Sequence, residues 1–260
     1  VYKRQGANWD RSEIQWSLVE TEKGKFSFPA HATMPMTLKD YGLNTLQILD
    51  YGNVLYSDGA TENSLPGSPE YIEAFKKYCV TMAEYYKGTV EYFELWNEVN
   101  NAEFNTEGAG IGDYAALVKA VVPAIKAVDP NIKVIAPVTI NVNADWYREF
   151  FSYGTYDYID CLSTHTYQWN RGLDKDALRK EANDLHIVMA EYGEPKPVWI
   201  SEMGWSTGTK RPGALIRRNV RAWHFRRTRF WWERGLRTSS SGTTSIKKAT
   251  TRMTVSYTHL

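Results

Sequence analysis

Six short apolar runs, set apart by helical stretches and long loops, constrain this chain more than any single motif. The runs cover residues 8–16, 43–53, 91–100, 132–140, 158–167 and 197–205. After Ser68, Pro69 and Glu70, which offer a hydroxyl cap and a proline at the first helical position, Tyr71, Phe75, Tyr78, Cys79, Met82 and Tyr86 recur at helical spacing. The same spacing predicts helices over 114–128, with a kink expected at Pro123, over 145–153 and over 177–192. A further helix closes at 37–41, with Gly42 as its stop signal. Strands and helices alternating in this way predict parallel βαβ units. No glycine-rich phosphate loop follows any run, and polar residues gather after several different strands, which favours a barrel over an open doubly wound sheet. The expected class is α/β, a (β/α)8 TIM barrel, and 260 residues is close to the usual barrel size of about 250.

Composition excludes some functions and leaves others open. No run is long and apolar enough to span a membrane, so no membrane partner is expected. The five histidines are scattered, without HExxH or paired His–Cys spacing, so neither a metal nor another cofactor is implied. Cys79 lies on a helical apolar stripe and Cys161 in a strand, where both read as buried thiols. Ser201 and Ser206 lack a GxSxG elbow, which argues against a serine hydrolase. Ten Trp and 17 Tyr suit stacking against sugar rings as well as core packing. The chain begins at Val1 rather than Met, so localisation is left open, secretion being one reading.

Chemistry concentrates at the ends of two runs. EYFELWNEVN closes on Trp96, Asn97, Glu98 and Asn100, and PVWISEMGW delivers Glu202 just before Gly204. Each Glu taken singly reads as an exposed strand-end charge. Presented together at the same ends of two strands, they form the carboxylate pair that glycoside hydrolysis requires. Strand alternation places Glu94, Trp96 and Glu98 on one face and Asn97 on the other, unless the end twists or bulges. The 43–53 run delivers Asp50, Tyr51 and Asn53 to a loop, and Asn53 is taken as a substrate-binding candidate. Alternation aims His165 and Tyr167 at one face. Trp169 and Trp205 are candidate stacking platforms for sugars.

WNE after a strand, followed at a distance by an apolar run ending in Ser-Glu-Met-Gly-Trp, resembles the catalytic strands of the clan A retaining glycoside hydrolases, family 39 or family 5 in flavour. The resemblance covers most of residues 8–209. It implies a carbohydrate substrate, with Glu98 as acid/base and Glu202 as nucleophile. It also implies that Arg11 bonds the nucleophile, that Asn97 bonds the sugar 2-hydroxyl, and that His165 and Tyr167 form the clan's His-x-Tyr pair. Retention calls for carboxyl groups about 5–5.5 Å apart. Burial beside Trp96 is expected to raise the Glu98 pKa toward about 6, while Arg11 and Tyr167 keep Glu202 ionised. The same residues would serve a transglycosylase, and a barrel without turnover would be a carbohydrate-binding protein.

By the clan pattern the WNE strand is the fourth and the SEMGW strand the seventh, so the barrel is expected to be incomplete, its first strand missing. Residues 1–7 read as a non-native end and 8–215 as the partial barrel domain. Residues 216–260 read as a disordered basic tail translated out of frame. Residues 210–260 carry 13 Lys and Arg against one acid, Glu233, whereas the whole chain nets +1. A basic arm of this kind can bind nucleic acid, but the codons argue otherwise. Joining the third base of each codon to the next two forces Ala from Trp223-His224 and Leu from Phe230-Trp231. Val follows from Trp231-Trp232 and Gly from Trp232-Glu233, so an apolar helix end is recovered and no nucleic-acid partner is expected.

Overall fold

A computed structural model describes residues 7–57, 61–167 and 175–204, with a short strand at 252–253. Seven parallel strands follow one another across a single sheet in chain order. They are β1 (Trp9–Glu13), β2 (Asn44–Leu49), β3 (Tyr92–Leu95), β4 (Lys133–Ile140), β5 (Cys161–His165), β6 (Val198–Ile200) and the two-residue β7 (Arg252–Met253). Helices α1 (Trp16–Val19), α2 (Met34–Asp40), α3 (Pro69–Tyr85), α4 (Ile111–Val128), α5 (Ala144–Ser152) and α6 (Lys175–Ala190) lie between the strands.

The sheet curls into the wall of an incomplete (β/α)8 barrel. Trp9 of β1 and Trp199 of β6 pack edge to face with ring centroids 5.0 Å apart. In a flat sheet, strands five places apart would be separated by about 24 Å. Leu46, Ile135 and Cys161, with the partly buried Trp9 and Tyr92, join Trp199 in this inner layer, one side chain from each of six strands. The opposite strand faces carry Phe93, Leu95, Val134, Leu162 and Val198, which pack under Phe75, Met82, Leu117, Val121, Phe150 and Leu185 of the helices. Each such side chain contributes about 1.5–3 kcal/mol through burial.

Local signals set the helix limits. The Ser68 hydroxyl accepts from Tyr71 N at the start of α3, and Gly88, at φ 74°, follows its end. Gly42, at φ 71°, follows α2 as expected. The helix read from residue 114 begins earlier, at Ile111, because Gly110 N donates to the Asp113 carboxylate and caps the preceding turn. It runs on through Pro123, which is exposed on the solvent side, where water can satisfy the carbonyl that proline leaves unpaired. Trp16, read as the end of the first strand, instead opens α1 and is fully buried, stacked between Tyr56, Tyr71 and Tyr78. Cys79 and Cys161 are both buried. No helix among the described residues is long and apolar enough to cross a membrane. Residues 1–6 of the segment read as a non-native end (1–7) and, apart from β7, the segment read as an out-of-frame tail (216–260) lie outside the described residues, as do Trp169 and Trp205.

Candidate active site

The site forms where β3 stops. Strand geometry ends at Leu95, and Trp96 (φ 67°) and Glu98 (φ 44°) adopt left-handed backbone. The Trp96 ring turns into the core, against Phe75 and Tyr51, and its indole N–H donates to Phe104 O at 2.8 Å. This turn overrides the simple alternation that separates Asn97 from Glu98. Both now reach the inner side of the barrel, where Asn97 Oδ1 accepts from Arg11 Nη2 at 3.0 Å and Asn97 Nδ2 donates to the Tyr51 hydroxyl at 3.0 Å.

Arg11, brought by β1, divides its guanidinium among three partners. Nε donates to Glu94 Oε2 at 2.6 Å, Nη1 to Glu202 Oε1 at 2.5 Å and Nη2 to Asn97. Glu202, just past β6, accepts from the Tyr167 hydroxyl on its other oxygen at 2.6 Å. Gly204 permits that approach, since a Cβ there would lie 3.0 Å from the Tyr167 ring. Burial alone would raise the Glu202 pKa. The charges of His165 and Arg11 and the bond from Tyr167 outweigh it and hold the carboxyl below its ordinary value. Burial, and then the bond to Glu202, push the Tyr167 phenol up.

Glu98 is partnered differently. Its Oε1 lies 2.7 Å from His165 Nδ1, and its Oε2 accepts from Asn101 Nδ2 at 2.7 Å. His165 is fully buried, with Nε2 3.0 Å from Ser201 Oγ, and that hydroxyl lies 2.7 Å from Ser163 Oγ. Carboxylate oxygens of Glu98 and Glu202 and a ring nitrogen of His165 lie within 4.8 Å of one another. Among the described residues this is the one group of three that could converge on a metal ion. Both Glu202 oxygens already accept donors, one of them the Arg11 cation, so an added cation would meet an existing positive charge.

The family model for glycosyl hydrolases family 39 matches residues 75–201, a stretch that contains Glu98 and His165 and ends one residue before Glu202. Over that stretch, just under half of the chain, the sequence is similar to family 39. Solved structures share its fold. A family 39 glycoside hydrolase from the gut symbiont Bacteroides cellulosilyticus WH2 is 20% identical, with a TM-score of 0.61 over 78% of this chain and 44% of that one. A monomeric β-xylosidase from Caulobacter crescentus CB15 is 21% identical (TM-score 0.58; 80% and 48% covered). A glucosidase from Croceicoccus marinus is 17% identical (TM-score 0.57; 80% and 46% covered). The chain spans just under half the length of these proteins. No curated protein matches it.

Of the residues singled out in the sequence, the barrel brings Arg11, Asn97, Glu98, His165, Tyr167 and Glu202 into one cluster. Asn53 lies apart from it. It is almost fully buried, donates from Nδ2 to Glu20 O at 2.8 Å and accepts from Leu55 N at 3.0 Å, so its side chain holds the loop after β2. The cluster also holds Tyr51, Glu94, Asn101, Ser163 and Ser201, which were not picked out as site residues. Glu94 and Ser163 share an inward strand face with a residue that was. The inward face of β6, however, shows itself only once that strand is seen to meet β1.

Proposed function

We propose that this barrel hydrolyses β-glycosidic bonds with retention, through a glycosyl-enzyme ester on Glu202. The observation that carries the reading is the closeness of two carboxylates held by different partners. Glu202 lies under a guanidinium and a phenol that favour its ionised form, whereas Glu98 sits against His165 and Asn101. An oxygen separation within 4.8 Å accords with the short spacing of retaining enzymes, about 5–5.5 Å between carboxyl groups.

In the first step Glu202 attacks the anomeric carbon while Glu98 gives its proton to the departing glycosidic oxygen. In the second, Glu98 takes a proton from water as that water displaces Glu202, restoring both groups to their starting forms. Asn97, fixed on both sides by Arg11 and Tyr51, is placed to bond the sugar 2-hydroxyl. The substrate is a carbohydrate, and the β-xylosidase and glucosidase among similar folds make aryl β-xylosides and β-glucosides the first substrates to assay. Turnover should vanish in Glu202→Ala. Glu98→Ala should keep the first step on a substrate with a good leaving group and regain turnover with azide, which attacks the ester. Azide rescue confined to Glu202→Ala would reverse the two roles.

A further inference from the structure

Glu94 is fully buried at the end of β3, and its Oε2 holds the edge of Arg11 that Glu202 does not use. One cation thus lies between two carboxylates, with contacts of 2.6 and 2.5 Å. Asp50, also fully buried beside Arg11, has no hydrogen-bond partner on either oxygen among the described residues. Burial first, then the charges of Glu13 and Glu94, push its pKa well above the ordinary range, which disfavours its charged form. The groups facing Glu202 are Arg11 from β1, His165 from β5, Tyr167 just beyond it and Glu98 from the β3 end.

We infer that Glu94 is a positioning residue that tunes Glu202: by holding one edge of Arg11, it keeps that cation shared between two carboxylates. A cation bound to Glu202 alone would stabilise its charge more strongly and make it a poorer nucleophile. Sharing leaves Glu94, Arg11 and Glu202 with a net charge of about −1, so Glu202 stays ionised and remains basic enough to attack carbon. The role of Glu202 as nucleophile rests on the function proposed above; the charge sharing does not.

Carboxyl 13C titration of the whole chain, labelled at glutamate and with Glu202 assigned by the resonance lost in Glu202→Gln, tests this without turnover. In Glu94→Gln, which removes the charge and keeps the shape, the Glu202 midpoint should fall by about one pH unit. Glu94→Asp, which keeps the charge but draws it back from Nε, should lower the midpoint by less. It is also the variant that decides the matter if the glutamine variant does not fold. An unmoved or raised midpoint in a folded variant overturns the inference. A lowered midpoint in a chain with no glycosidase activity would keep the charge sharing and reject the proposed function instead.

Discussion

Replacing Arg11 by lysine keeps the positive charge and removes the fork. The guanidinium serves Glu94, Glu202 and Asn97 from three separate nitrogens, and its side chain is 7% exposed. A single ammonium at the end of a flexible stem can keep one of these bonds in good geometry and loses two. Hydrogen bonds to charged groups contribute about 1.5–3 kcal/mol each, so the loss is about 3 kcal/mol at the low end. For a domain of this size that lowers the unfolding temperature by about 6–12 °C. Circular dichroism melts of the two proteins, side by side at neutral pH, measure it. Adding Glu94→Gln should then cost less than the sum of the single effects, because the two residues share one interaction. A melting temperature within about 2 °C of the parent, or strict additivity, would refute the three-way role of Arg11.

Other consequences follow from the same geometry. Asp50 has a folded pKa above its ordinary value of 3.8, so the folded state pays an increasing cost as pH rises through and beyond that value. Asp50→Asn should therefore be more stable than the parent at pH 7 and equal to it near pH 3.5; urea melts showing no gain at pH 7 would count against a raised Asp50 pKa. Glu202 has a folded pKa below its ordinary 4.5, and its contribution is present above that value and lost as pH falls through the folded one. Glu202→Gln should lack this part of the acid destabilisation, and identical acid profiles for the two proteins would contradict the donors assigned to Glu202. Beyond about Ala222, resequencing the source DNA should reveal a shifted reading frame; an unbroken read of the present frame would reject that expectation.

Much of the fold follows from periodicity because both periods are local. The stripe from Tyr71 to Tyr86 needed only a helix to bury it, and Ser68 with Pro69 marks where that helix starts. The ends of the strands were legible as places where apolar runs meet polar residues, which located Glu98, His165 and Glu202. What the sequence concealed is long-range or conformational. A tryptophan with positive φ is not a local preference, and alternation across Trp96 therefore misplaced Asn97. Asn53 looked available because strand ends usually are, but Glu20 O and Leu55 N occupy its side chain. Glu94 reads as one more polar residue until β1 curls over to set Arg11 on it, and Ser201 until β5 sets His165 beside it.

The central claim is that Glu202 forms a covalent bond to sugar while Glu98 does not. Incubation with a 2-deoxy-2-fluoro β-glycoside bearing a dinitrophenyl leaving group, first xylosyl and then glucosyl, should slow the second step and let the ester accumulate. Mass spectrometry of proteolytic peptides reads where it forms. The account predicts one added fluorosugar, on the peptide containing Glu202, absent in Glu202→Gln. A label on Glu98, or turnover of the parent glycoside with no labelled peptide under any of these conditions, would contradict it.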